Sequence, residues 1–123
     1  MIITERLILR PFELSDVDDL FEYAKNPNIG KNAGWKPHKT KDESLEIIKE
    51  LQKIGGEYAI VFKQSNKVIG SIGLHKDSKR AVKNAMSLGY SLSENFWGYG
   101  LMPEAVNAMI KYAFEEKHAS IIS

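Results

Sequence analysis

Two glycines, Gly98 and Gly100, give this chain its clearest chemical signal, because of where they fall. They punctuate Asn95-Phe96-Trp97-Gly98-Tyr99-Gly100-Leu101-Met102-Pro103-Glu104-Ala105, which runs from a strand pattern through a loop straight into an amphipathic helix. Pro103 suits a first helical turn, where its missing N–H costs nothing. No Ser, Thr, Asp or Asn stands just before it to cap the helix from a side chain. The first helical N–H groups are therefore expected to point outward, with the positive end of the helix dipole behind them. Gly98 and Gly100 allow positive φ or a close backbone approach to a ligand. Such an arrangement suits an anion, best a phosphate or pyrophosphate. The glycine pair alone reads equally well as a flexible strand-to-helix turn.

The elements that would hold this loop follow from periodicity and punctuation. Arg6 to Arg10 reads as a short strand stopped by Pro11. Ser15-Asp16-Val17-Asp18 gives a helix start signal, and Val17, Leu20, Phe21 and Ala24 follow at helical spacing until Asn26-Pro27. Thr40-Lys41-Asp42-Glu43 is a second capping box, opening a helix to about Lys53 with Gly55-Gly56 as its stop. Tyr58 to Lys63 and Val68 to Leu74 flank a turn-like Gln64-Ser65-Asn66-Lys67, which predicts an antiparallel hairpin. Ala85 to Leu92 alternates, with Met86, Leu88, Tyr90 and Leu92 on one face and Ser87, Gly89 and Ser91 on the other. Gly89 inside that alternation suggests a bulge or a close backbone approach. Met102, Ala105, Val106, Met109, Ile110, Ala113 and Phe114 form an apolar helical stripe, read as core. Ala119 to Ile122 looks like the start of one more strand.

The order is β-α-α-β-β-β-α-β, an α+β layout with a largely antiparallel sheet. It argues against a Rossmann domain, whose glycine loop follows the first strand of a βαβ unit. The loop also lacks the Gly-Lys-Ser/Thr ending of a P-loop, which counts against nucleotide hydrolysis.

A chain of 123 residues makes one domain able to bury about two-thirds of its unfolded surface. Net charge +1 gives no overall pull toward nucleic acid or an anionic membrane. The absence of cysteine excludes disulfides, thiol catalysis and thiolate metal sites. With neither a signal-peptide layout nor a long apolar run, the sequence reads as soluble and cytoplasmic.

The strand order and several separated motifs together resemble the GNAT superfamily of acyl-CoA-dependent N-acetyltransferases. The segments Leu88-Gly89-Tyr90-Ser91-Leu92, Phe96-Trp97-Gly98-Tyr99-Gly100 and Glu104-Ala105 look like the branch containing the ribosomal-protein N-acetyltransferases. Thr4 to Phe12 is similar to that branch's first strand, and Val68 to Leu74 to its third. The resemblance implies a mixed, largely antiparallel sheet flanked by helices. It implies acetyl-CoA as co-substrate, with no metal. The backbone of Tyr90, Ser91 and Leu92 would pair with the pantetheine arm. The N–H groups of Phe96, Trp97, Gly98, Tyr99, Gly100, Leu101 and Met102 would hold the pyrophosphate. Convergent backbone amides can do this without a basic side chain. The family pattern usually opens the loop with Gln or Arg, whereas this chain has Asn95.

The reaction implied is direct transfer of acetyl to an amine, a protein N-terminus or a small amine. That requires a base or water chain to take the amine's proton and a donor to the thioester oxygen, for which a backbone N–H of the fourth strand is suited. The sequence does not identify the base. His75 ends the third strand and could lie near the acceptor, or be an ordinary strand-end residue. Glu104 suits the dipole of the third helix, and Glu94 reads as a loop charge. The segment Asn26 to Lys39, with Asn32, Gly34, Trp35 and His38, would help wall the acceptor site, with Trp35 either a contact surface or folded into the core. Lys31, Lys36, Lys39 and Lys41 read as a solvated face, or as a match to an acidic acceptor or the CoA phosphate.

The family pattern calls for a further helix and two strands after Ala119, so the resemblance implies a domain incomplete at its C-terminus. The expected consequence is a homodimer or higher assembly covering an open sheet edge or face. Two functions follow: a working N-acetyltransferase, or a truncated, inactive relative that keeps CoA binding or only a structural role.

Overall fold

The computed structural model describes residues 1–29, 37–76, 85–116 and 121–122. Its strands are β1 (Ile2–Ile3), β2 (Leu7–Pro11), β3 (Glu57–Phe62), β4 (Lys67–Lys76), β5 (Ala85–Leu92) and β6 (Ile121–Ile122). Its helices are α1 (Val17–Ala24), α2 (Lys41–Ile54) and α3 (Leu101–Glu115). The strands form one six-stranded sheet in chain order, antiparallel from β1 to β5, with β6 parallel to β5. The α+β layout is as the sequence predicts, with β1 added ahead of the first expected strand.

Alternation along the strands supplies both faces of the sheet. Leu7, Leu9, Ile60, Ile72 and Leu92 pack against Leu101, Ala105, Met109 and Ala113 of α3. Ala59, Val61 and Val68 pack on the opposite face against Leu20, Tyr23 and Ala24 of α1 and Ile48 of α2. Of the expected helical stripe, Ala105, Met109 and Ala113 are core and Met102 and Val106 pack against it, whereas Ile110 is only half-buried and Phe114 is exposed.

The bulge lies in β4, not at Gly89. Ile60 pairs with Gly70 and Val61 with Val68, which leaves Ile69 as the extra residue. That insertion brings Ile69 into the same core as Ile72 and Leu74, from which strict alternation would separate it. Gly70 beside it has no room for a side chain: an added Cβ would sit 2.3 Å from the Ser91 carbonyl oxygen. Gly89 pairs regularly with Gly73, and a Cβ there would meet open space.

The helix starts differ in their chemistry. Thr40 caps α2 as expected, its hydroxyl accepting from the Glu43 N–H at 3.3 Å. The start before α1 belongs to Asp16 rather than Ser15. Asp16 closes a 3-10 turn over Leu14–Asp16, accepting from the Glu13 N–H at 2.8 Å, and takes both terminal nitrogens of the Arg10 guanidinium at 2.8 and 2.9 Å. Because Asp16 is buried, this two-pronged pair anchors β2 to the start of α1.

Candidate functional site

The loop between β5 and α3 begins with a 3-10 turn, Glu94–Phe96. Its closing bonds use the Phe96 and Trp97 amides, which donate to Ser93 and Glu94 at 2.9 and 3.1 Å. Those two N–H groups are spent internally, so the set free to face a ligand is narrower than the sequence suggests. Among the described residues, the amides of Gly98, Tyr99 and Gly100 donate to no protein acceptor. Gly98 and Gly100 take φ of +86° and +76°, a region that favours glycine. Gly100 is the N-cap of α3 and provides no side-chain cap, so the first amides of that helix lack intrahelical acceptors.

All the residues singled out around this loop, except Tyr99, line one groove of about 380 Å³: Tyr90, Ser91 and Leu92, then Phe96, Trp97, Gly98, Gly100, Leu101 and Met102. Tyr99 instead borders a separate hollow with Arg6 and Asn95. Ser91 contributes backbone only, because its hydroxyl is turned to the α1 side, 2.7 Å from that of Ser71. The Leu92 carbonyl accepts the Trp97 indole N–H at 2.8 Å, folding the ring back along the groove. Among the described residues, β6 pairs only with Ala85 and Met86, so the far edge of β5 has no strand neighbour from Ser87 onward. The groove thus combines an open strand edge, two positive-φ glycines and an uncapped helix start. It fits an elongated ligand with an anionic end.

Two side-chain clamps hold the loop, and neither is visible in local sequence. The Arg6 guanidinium donates to the carbonyls of Tyr99 and Gly100 at 2.9 and 3.2 Å and to Glu104 at 2.8 Å. The Arg6 backbone N–H and the Thr4 hydroxyl also donate to Glu104. With those carbonyls drawn toward Arg6, the loop amides are left to the other side. Burial works against ionisation of Glu104, but the hydrogen bonds from Thr4 and Arg6 prevail, and its pKa lies below the usual value. Glu104 is therefore a tie between the first turn of α3 and the start of β2, more than a dipole partner. Glu94 is likewise more than a loop charge. It accepts from the Asn26 amide at 2.6 Å and the Asn28 amide at 3.2 Å, and those bonds lower its pKa.

A second cleft, of about 270 Å³, opens on the α1–α2 side and meets the groove at Tyr90, which borders both. Its polar lining is Tyr23, His38, Glu57 and Ser71, from four separate segments, none proposed as a site from sequence except His38 as part of a wall. Tyr23 is 3% exposed, and its hydroxyl lies beside the Ser71–Ser91 pair without the geometry of a hydrogen bond to either. Burial pushes this phenol well above its ordinary pKa, opposed by the two serine hydroxyls. The His38 ring Nδ1 is 2.7 Å from the Ser44 hydroxyl. Burial draws its pKa below 6.5, against a smaller opposing effect of Glu43, so the imidazole is neutral at neutral pH.

The remaining candidates divide. Lys41 pairs with Asp18 at 2.9 Å, a surface contact. His75 stands opposite Ser87 in the β4–β5 register, but its side chain lies outside the described residues. Asn32, Gly34, Trp35, Lys31 and Lys36 also lie outside them. Among the described residues no group of three or more His, Asp or Glu is placed to hold a metal, and no helix is long and apolar enough to cross a membrane.

The acetyltransferase (GNAT) domain profile matches residues 6–123. The N-acetyltransferase p20 of Bacillus licheniformis is 31% identical over 116 residues, covering 90% of this chain and 64% of that protein. The [ribosomal protein uS5]-alanine N-acetyltransferase of Escherichia coli is 31% identical over 127 residues, covering 94% of this chain and 63% of that protein. This chain thus spans less than two-thirds of the length of either relative. A crystal structure of a GNAT-family acetyltransferase from Bacillus anthracis shares the fold, with a TM-score of 0.82 at 22% identity, covering 96% of this chain and 68% of that one.

Proposed function

Because this chain belongs to the GNAT acetyltransferase family, we propose that it transfers acetyl from acetyl-CoA to a primary amine, binding the two substrates in the two clefts that meet at Tyr90. The observation that carries this reading is the groove itself: a strand edge without a neighbour among the described residues, leading to a glycine loop and an uncapped helix. The diphosphate of acetyl-CoA would lie on the amides from Gly98 to Met102, and its pantetheine arm along the β5 edge. Positive charge comes from the helix start and oriented amides, so the site needs no lysine.

The thioester would reach Tyr90, where the second cleft supplies the amine. There the amine nitrogen attacks the carbonyl carbon, the C–N bond forms and the C–S bond breaks, leaving the electron pair on sulfur. An exposed N–H of the β5 edge is placed to stabilise the carbonyl oxygen as it gains charge. The neutral imidazole of His38 is the group in the cleft best suited to accept a proton at neutral pH.

Thermal unfolding with acetyl-CoA, and with ATP as control, tests the cofactor half. At about a hundredfold excess over Kd a one-site ligand adds ~2.7 kcal/mol, several degrees in Tm for a domain of this size. A shift with acetyl-CoA alone supports the reading, and no shift with saturating acetyl-CoA overturns it. Release of CoA thiol on adding amines separates an acting enzyme from an inactive relative that only binds.

A further inference from the structure

Resting on that reading, we infer that Trp97 is a positioning residue for the pantetheine arm, pinning it to one register on β5 by occupying the Leu92 carbonyl. The direction of each β5 backbone group follows from the ladder. The Ser93 N–H donates to the Ile69 carbonyl at 2.6 Å, and β4 and β5 then pair in unbroken register from Gly70 opposite Leu92 to Lys76 opposite Met86. Bonded and non-bonded pairs alternate in an antiparallel ladder. Ser91 and Gly89 therefore turn both N–H and C=O toward β4, while Leu92, Tyr90 and Leu88 turn theirs to the opposite edge. Ser91 lines the groove without offering it a hydrogen bond, and pairing with the arm falls to Tyr90 and Leu92. The indole N–H on the Leu92 carbonyl, at 2.8 Å, fixes that direction independently.

A bare strand edge repeats every two residues, about 6.8 Å. An extended chain carrying amides can slip by that step and meet the same donors and acceptors again. Trp97 breaks the repeat. With the Leu92 carbonyl taken, the edge along the groove offers donors at Leu92 and Tyr90 but an open acceptor at Tyr90. An arm slipped toward the loop would bring its amide N–H to an acceptor already in use, and its chain against the indole, which lines the groove. A slip the other way is checked by the diphosphate held on the loop amides. The thioester then has one position, beside Tyr90. The indole is itself held in place. The Trp97 backbone N–H closes the 3-10 turn on the Glu94 carbonyl at 3.1 Å, and the Glu94 carboxylate is fixed by Asn26 and Asn28.

The test reads the bound state by nuclear magnetic resonance, with acetyl-CoA affinity measured by calorimetry. The chain has two tryptophans, and Trp35→Phe identifies the indole N–H resonance of Trp97. That N–H should exchange with solvent no faster once acetyl-CoA saturates the chain. Acetyl-CoA carrying ¹³C at the thioester carbonyl should give one bound resonance. Trp97→Phe keeps an aromatic ring but frees the Leu92 carbonyl. Its Kd should stay within threefold, while the bound carbonyl shows a second resonance or one displaced by averaging. Three results each overturn the inference and leave the cofactor reading standing. Faster indole exchange on binding would make Trp97 a latch that the ligand releases. An unmoved single carbonyl resonance in Trp97→Phe would make it a bystander. A Kd raised more than threefold would make it a support for the loop. Acetyl-CoA that fails to bind the unaltered chain overturns both.

Discussion

Replacing Arg6 with alanine removes three side-chain hydrogen bonds at once, to the Tyr99 and Gly100 carbonyls and to Glu104. Sheltered hydrogen bonds to a charged group are worth about 1.5–3 kcal/mol each, and exposed ion pairs about 0.2–1 kcal/mol. The Arg6 side chain is 41% exposed and that of Glu104 18%, so the set falls between these limits, about 2 kcal/mol in total. At about 4 °C per kcal/mol, Tm should drop by roughly 8 °C. The two bonds to loop carbonyls carry about 1.4 kcal/mol of that loss, a factor of ten in the population of the ligand-ready loop. Apparent affinity scales with that population, so the acetyl-CoA Kd should rise about tenfold, read by calorimetry well below the lowered Tm. Arg6→Lys keeps a charge but loses the planar fork that reaches two carbonyls and a carboxylate together. It should restore part of Tm and little of the affinity. A lowered Tm with unchanged Kd would refute the argument, because Arg6 would then support the fold without shaping the loop.

Further outcomes follow from other residues. Gly70→Ala should destabilise by about 1–3 kcal/mol, the usual cost of forced overpacking, because its Cβ meets the β5 backbone; Gly89→Ala should leave Tm unchanged, and equal effects in thermal melts would contradict the packing described. Gly98→Ala, at φ +86° in open space, should lower acetyl-CoA affinity through backbone strain of about 1–2 kcal/mol, and unaltered calorimetric affinity would remove the loop from the site. Tyr23→Phe deletes a buried hydroxyl that has no hydrogen-bond partner among the described residues, so Tm should hold or rise, while the amine KM should increase if the hydroxyl receives the acceptor. Glu104 has a depressed folded pKa, so its stabilisation is present above the unfolded value near 4.5 and is lost as pH falls through the folded one. Tm measured from pH 6 to 3 should fall more steeply for the unaltered chain than for Glu104→Gln. His38 resists protonation when folded, so activity through it should decline only below pH 6.5, and His38→Gln should flatten that limb.

What could be read from sequence was what is local in the chain. Thr40 caps the amide three residues on, Gly98 and Gly100 set the loop's backbone themselves, and the groove is built, Ile29 apart, from two short neighbouring segments, 90–92 and 96–103. What escaped was built through space. Arg6 and Glu104 are 98 residues apart, Asn26 and Glu94 are 68 apart, and the second cleft gathers side chains from α1, α2, β3 and β4, with His38 ahead of α2. Gly89, where a glycine interrupts alternation, suggests a bulge or a close backbone approach, but it pairs regularly with Gly73 and its Cβ position has nothing within 4 Å. The better signal is the odd spacing of Ile69 from Ile72 and Leu74, apolar positions that strict alternation would send to opposite faces. The start signal at Ser15 to Asp18 falls where α1 begins, but the residue that makes it is set through space. Ser15 has the right type for a cap, but Asp16 has the guanidinium of Arg10 to hold it.

The tie between Arg6 and the start of α3 also orders events as the chain is made. The β3–β4 hairpin closes across a few residues, whereas the cofactor loop closes across nearly a hundred. Contacts of such separation form late, after shorter loops have reduced the entropy left to lose. At ordinary rates of synthesis, Arg6 would emerge roughly 5–20 s before Glu104. Through that interval β2 and the hairpin are available to pair, but no part of the anion cradle exists. On the proposed reading, capture of acetyl-CoA by a nascent chain would therefore report that the distant clamp has closed.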